Sequence, residues 1–301
     1  MGKYIPTIAK KKPLLVTRSH GLEHIVDSNL REEQGQGNIN LSWRYQLYGG
    51  RFRLWEVATS LRCADIAFQL NQYDLEYAIQ KLGVKPELSY IVANGIPEKF
   101  LNLPFQPTPD SKDSTIGIAQ VGTYIPRKGI TYSVPALNTI LARYPQVKVS
   151  LLGTHVSQAD VCRDFDSPVR DRVKVVPSYS HEMLPNLLKG YQIKLFPSLS
   201  EGFSKGLIEA MACGLAPIAT QTYGREILNH GRDGILIPAR NSQAIEEAIE
   251  SLVSDRLYLD QLRRNAYTTA QGYSWANVAQ ERLAFYEKAL KQKHDYEGMY
   301  H

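Results

Sequence analysis

Cysteine is scarce. The 301 residues hold three, Cys63, Cys162 and Cys213, far apart and odd in number. That distribution fits neither a disulfide framework nor a CxxC metal pair, so a reducing compartment is expected. Long apolar runs are missing too: no window reaches the roughly 18 apolar residues that a membrane span requires. The opening stretch, MGKYIPTIAKKKPLLVTRS, lacks the apolar core of a secretion signal. The expected setting is the cytoplasm, and Lys10, Lys11 and Lys12 leave open a peripheral contact at the inner membrane face. Charge is not gathered by sign either. The net +5 is spread along the chain, and without a basic stripe nucleic-acid binding is not expected.

What is present is a chain with 43% hydrophobic residues, enough for one large domain or two smaller ones. From about residue 115 short apolar runs alternate with amphipathic stretches. IGIAQVG, VKVSLLG, VKVVP, IKLFPS, APIAT and GILIP read as strands, with helices such as TYSVPALNTILARY, HEMLPNLLKG and SKGLIEAMAC between them. This alternation predicts an α/β, Rossmann-type doubly wound parallel sheet, with its ligand beyond the carboxyl ends of the strands. The proline-containing segment 98–115 reads as a linker. It separates an N-terminal part, 1–105, from a second domain over 106–270, and residues 271–301 supply a final helix and a loose tail. In the first part only PLLVT (13–17) and SYIVA (89–93) read as strands, around a long helical region that includes RLWEVATSLRCADIAF. Two strands leave their edges unpaired, so this part reads as incomplete. Near the end, NSQAIEEAIESLVSD is a helix with Asn241 or Ser242 as its N-cap.

The stretch 200-SEGFSKGLIEAMACG-214 carries the chemistry. Ser204 reads as an N-cap and Gly214 as the residue just past the helix. The turn Glu201-Gly202-Phe203-Ser204 follows a strand and offers backbone N–H groups at a helix N-terminus, a place for an anion. Gly202 and Gly206 allow close approach of a ligand. A second strand-to-helix junction, 122-GTYIPRKG-129, begins at Gly122 and adds the charges of Arg127 and Lys128. Two such junctions suit a diphosphate, and Glu201 and Glu209 then suit hydroxyl groups. A ligand with both is a nucleotide sugar.

These segments resemble the group 1 glycosyltransferases, retaining, family 4-like enzymes of the GT-B fold. The resemblance runs from about Leu14 to Ala289. SEGFSKGLIEAMACG resembles their Glu-x7-Glu motif, VGTYIPRKG their diphosphate loop, TRSHGLEH a histidine-bearing strand end, and VANGIP the entry to the hinge. SWANVAQERLAFYEKAL is similar to a final helix that crosses back to the first domain. The resemblance implies that Glu201 and His20 meet the donor sugar and that Glu209 holds the ribose. It implies that Gly202, Phe203, Ser204, Lys205 and Gly206 line the sugar and phosphates, and that Lys128 and Arg127 neutralise the departing diphosphate. No metal or other cofactor is implied, because cations and helix ends do that work. The acceptor would be a surface glycan, a lipid-linked intermediate or a small molecule, as in polysaccharide biosynthesis. Two departures stand out: Thr123 replaces the usual arginine, and the proline of the CGxP pattern is displaced to Pro217. The family's first domain begins several strand–helix units earlier, so a truncated first domain is expected.

Other readings stay beside this one. The chain fits a nucleotide-sugar-binding subunit of a split enzyme, completed by a second chain. HGLEH (20–24) spells H-x-x-E-H, the inverted zinc-peptidase pattern, and DFD (164–166) imitates an Asp-x-Asp metal motif. The plainer alternative pairs Glu209 with Lys205 one helical turn earlier, in the weaker Lys-before-Glu orientation. Tyr179 and Met183, in VVPSYSHEML, read as base contacts or as packing.

Overall fold

Four consecutive buried residues, Ile66–Gln69, form a strand where the sequence reading continues a helix. In the computed structural model, which describes residues 13–108 and 114–298, this strand is the centre of the N-terminal sheet. Lys10–Lys12, residues 109–113 of the linker and the last three residues lie outside the described residues. Strands β1 (Val16–Arg18), β2 (Ile66–Gln69) and β3 (Ser89–Ile91) are parallel in the order β1-β2-β3, with Val16 opposite Ile66 and Phe68 opposite Tyr90. Both strands read from sequence therefore pair with β2 rather than being left with open inner edges.

Around this sheet stand helices α1 (Glu23–Gly35), α2 (Leu54–Arg62) and α3 (Gln72–Leu82). Leu22, Ile25, Ala58, Leu61, Ala78 and Leu82 bury one side of it. The α3 start is specified locally: the Asn71 side chain accepts from Asp74 N at 2.7 Å, and Asp74 in turn accepts from Leu22 N at 3.0 Å. Gly83, at φ 71°, ends the helix in the left-handed conformation.

The second sheet is built from β4 (Ile116–Val121), β5 (Val147–Leu152), β6 (Val173–Val176), β7 (Ile193–Phe196), β8 (Ala216–Thr220) and β9 (Ile235–Ile237). All six are parallel, in the order β6-β5-β4-β7-β8-β9. The near-continuous burial of β4, β7 and β8 marks a sheet covered on both faces. Helices α4 (Ile130–Arg143), α5 (Leu184–Leu188), α6 (Lys205–Ala212), α7 (Ser242–Ser254) and α8 (Arg256–Gln271) do the covering. Leu137 and Ile140 of α4, Ile249 of α7 and Leu259 and Leu262 of α8 join Ile118, Leu195 and Ile218 in one core. The Asn241 side chain accepts from Ala244 N at 2.9 Å and caps α7.

The last helix, α9 (Trp275–Gly298), runs on through most of the residues read as a tail. Its Val278, Phe285, Tyr286 and Ala289 pack with Ile66, Phe68, Val92 and Tyr90 of the first sheet. By contacts the chain divides into two units. One is Met1–Gly95 with Glu201–Phe203 and Trp275–His301; the other is Ile96–Ser200 with Ser204–Ser274. Among the described residues no helix is long and apolar enough to cross a membrane.

Candidate functional site

In the second unit the chain reverses direction across the sheet between β4 and β7, the place where an open parallel sheet leaves a crevice at its carboxyl edge. The loops that leave these two strands are the two junctions singled out by sequence. Gly122 closes β4, donating from its N–H to Leu152 O at 2.8 Å, with φ 139°. The Lys128 stem lies over it: a Cβ added at Gly122 would sit 3.4 Å from Lys128 Cε. A methyl there would only touch the lysine stem; it is the backbone conformation that favours glycine. Gly129 follows at φ 76°, and its Cβ position is only 2.1 Å from Pro197 O, so the turn presses directly on the end of β7.

Arg127 ties the same two loops. Its carbonyl accepts from Leu199 N, and its guanidinium Nη1 donates to Ser200 O, both at 2.9 Å. The Gln120 amide steadies the turn from below, donating to Lys128 O at 3.2 Å. The residues from Gly122 to Gly129 and from Pro197 to Ser200 thus form one braced edge, with half-buried Lys128 on it.

Helix α6 begins beside this edge. Ser204 accepts through its carbonyl from Leu207 N at 2.9 Å, but its side chain makes no capping bond, contrary to the sequence reading. At φ −80° and ψ 61° the residue is not extended, so the hydroxyl cannot reach back to the first turn. Its Oγ is buried without a hydrogen-bond partner. Gly214, at φ 79°, closes the helix end as read. Between them Leu207, Ile208, Met211 and Ala212 are fully buried, and Glu209 is buried among them, its side chain 6% exposed.

Glu209 pairs with His181 rather than with Lys205: Oε1 lies 3.0 Å from His181 Nε2. His181 Nδ1 is 3.3 Å from Lys99 Nζ, and Lys99 bridges to Glu182 at 2.6 Å. Burial first, and the Glu209 carboxylate second, raise the Tyr179 phenol and push the Cys213 thiol up to about 12. Tyr179 packs on Gly153, with its Cε1 3.1 Å from the Cβ position there. Met183 is half exposed. Sequence reasoning missed His181, because a histidine five residues past a strand carries no pattern of its own.

His20, Glu201, Gly202 and Phe203 group with the first unit. The Asn71 amide donates to Gly202 O at 2.9 Å. Gly202 touches the β1 loop so closely that a Cβ would fall 2.0 Å from His20 O, and Gly21 meets it with φ 129°. His20 is exposed at the mouth of a cavity of 450 Å³ shared with Arg18, Glu23, Arg53 and Glu56. Arg18 is held there by a hydrogen bond to the Asn94 side chain. His20 precedes α1 whereas His24 lies in its first turn, so the H-x-x-E-H pattern does not put both histidines on one helix face. Among the described residues no three His, Cys, Asp or Glu side chains converge as a metal site. In DFD, Phe165 is buried in the core and Asp164 accepts from Tyr124 Oη at 2.7 Å.

A protein-family model described as "Glycosyl transferases group 1" matches residues 105–269. The alpha-maltose-1-phosphate synthase of Mycolicibacterium smegmatis is 25% identical over 275 residues, covering 82% of this chain and 69% of that protein. The phosphatidylinositol N-acetylglucosaminyltransferase gpi3 subunit of Schizosaccharomyces pombe is 28% identical over 204 residues, 65% of this chain and 44% of its own length. The chain thus spans well under the full length of such relatives. In fold it resembles the Anabaena protein HepE, solved in complex with UDP, with a TM-score of 0.70, 20% identity, and coverage of 95% of this chain and 75% of that one.

Proposed function

The chain belongs to the group 1 glycosyl transferases, and we propose that it takes part in moving a hexose from a nucleoside-diphosphate sugar to a hydroxyl acceptor with retained anomeric configuration. The observation that carries this reading is the braced edge after β4 and β7, where Lys128 lies across Gly122 and α6 begins. A diphosphate there would meet one lysine and the backbone N–H groups of a helix N-terminus. HepE, a protein of like fold, was solved in complex with UDP, which supports a nucleoside diphosphate as the kind of ligand.

In this reading Lys128 and the start of α6 stabilise charge as the bond from the anomeric carbon to the diphosphate oxygen breaks. The acceptor oxygen forms the new bond on the face the diphosphate leaves, and its proton passes to the departing phosphate. Glu209 holds the two ribose hydroxyls, exchanging its present bond to His181 for them. Arg127 acts through its brace on Ser200. Glu201 and His20 are assigned to sugar hydroxyls, and Gly202, Phe203, Ser204, Lys205 and Gly206 to the backbone that receives sugar and phosphate.

Titration calorimetry with UDP, GDP and ADP tests the reading. Binding of at least one is expected, weakened about tenfold or more by Lys128→Ala and by Glu209→Ala. Failure of all three diphosphates to bind overturns it. Glu201→Ala is expected to abolish turnover with the fold intact, and wild-type turnover in that variant would remove its role. Since cations of the chain carry the charge, EDTA is expected to leave turnover unchanged. A second reading, a donor-binding subunit, has support in a curated relative that is itself a subunit. Turnover by the purified chain alone would eliminate it.

A further inference from the structure

Between Ser42 and Trp55 the chain reads SWRYQLYGGRFRLW, with three arginines and no carboxylate. It forms a π-helical turn, Tyr45–Arg53, that runs straight into α2. No residue of that turn is buried, so among the described residues nothing covers the large apolar side chains that this helix carries here. Trp43, Leu47, Tyr48, Phe52 and Trp55 are 67%, 56%, 63%, 50% and 58% exposed, and they make up five of the eleven exposed large hydrophobic residues among those described.

Three of them are contiguous. The Tyr48 and Phe52 rings lie 5.8 Å apart, Phe52 and Trp55 6.0 Å, and the Arg44 guanidinium stands 5.6 Å over Trp43. Isolated exposed apolar residues are ordinary, whereas a continuous row marks a surface that something covers. The charge around the row selects what. Arg53 is engaged with Glu23 and Glu56, but Arg44 and Arg51 add positive charge within a stretch that has no acid. Aromatic rings and arginines on one helix, with tryptophan at both ends, match the boundary between lipid headgroups and acyl chains.

We infer that the Trp43–Trp55 face docks on an anionic lipid bilayer, with the rings at the level of the headgroups and Arg44 and Arg51 on lipid phosphates. The arginines supply the preference for anionic over neutral lipid, and the rings supply most of the binding free energy. Arg53 and Glu56, at the end of the face, line the cavity beside His20, so that cavity opens near the docked surface.

The test uses the full chain and vesicles made of equal parts phosphatidylglycerol and phosphatidylcholine, compared with phosphatidylcholine alone. Sedimentation with the mixed vesicles is expected, with a blue shift of tryptophan emission, since two of the three tryptophans are Trp43 and Trp55. Replacing Trp43, Phe52 and Trp55 with serine should lower partitioning about tenfold or more, with circular dichroism unchanged because these side chains are exposed. Arg44→Gln with Arg51→Gln should cost about fivefold per arginine and remove the preference for anionic lipid. No binding to either vesicle overturns the inference, as does binding that both sets of substitutions leave untouched. A concentration-dependent dimer that the serine substitutions dissolve overturns it as well, by assigning the face to a second copy. The readout is binding, so it stands apart from any failure of the transfer reaction.

Discussion

Asp74 shows how one buried group sets a pH response. Its carboxyl is pushed up from 3.8 to about 6, first by burial, while the bonds from Leu22 N and the Asn71 side chain pull the other way. The folded state therefore holds this proton more tightly than the unfolded chain does. Stability from this group is present below 3.8 and is lost as the pH rises through about 6. Asp74→Asn retains an acceptor for Leu22 N and should flatten that part of the profile, raising stability at pH 7 by roughly 2 kcal/mol. Urea titrations of both proteins across that range check it. Gly129 carries a sharper constraint, since Gly129→Ala would require a left-handed alanine whose methyl collides with Pro197 O. A loss of about 3 kcal/mol or more is expected, together with weakened nucleotide binding, because the turn braces both loops. Gly214 and the Asn241 cap were legible in sequence as residue types with a fixed conformational use. The Ser204 hydroxyl and the His181 bond to Glu209 were not, because each depends on side chains brought in from elsewhere in the fold.

At the scale of elements, legibility followed punctuation. The strands of the second sheet are short, largely apolar runs with a glycine or proline within two residues of an end, and all six form where they were read. β2 was hidden because α2 leads to it through Cys63-Ala64-Asp65 with no breaker, and Ile66-Ala67-Phe68 suits a buried helix as well as a strand. Its place at the centre of the first sheet is set by non-local pairing on both sides. Phe68 packs there against Tyr90, Phe285 and Tyr286, with ring centroids at 6.4, 5.9 and 5.7 Å. Phe68→Ala should cost about 3–5 kcal/mol in chemical denaturation, a far larger effect than the same change at exposed Phe52. The α/β class and the loops of the candidate site were thus readable, while the order of the first sheet rests on non-local pairing.

For the whole molecule, two units with separate cores predict two thermal transitions in calorimetry. A saturating nucleoside diphosphate should raise the transition of the second unit, by about 2.7 kcal/mol at a hundredfold excess over Kd. Phe68→Ala should lower the other and so identify it. A ligand-induced rise confined to the first unit's transition would contradict the assignment of the phosphates to the β4 and β7 loops.

The ends of the second unit have one further meaning. Ile96 N donates to Tyr273 O at 2.8 Å, and Ile96 bridges to Ser274, so the chain leaves this unit beside the point where it enters. Apart from Glu201–Phe203, which group with the first unit, everything from 96 to 274 is, in connectivity, a cassette spliced into that unit, whose sheet packs against α9 beyond the seam. A cassette with neighbouring ends can be exchanged for a homologous one at that seam without rerouting the host chain, provided that the incoming turn at Glu201–Phe203 keeps its close fit to Gly21 and its bond from Asn71.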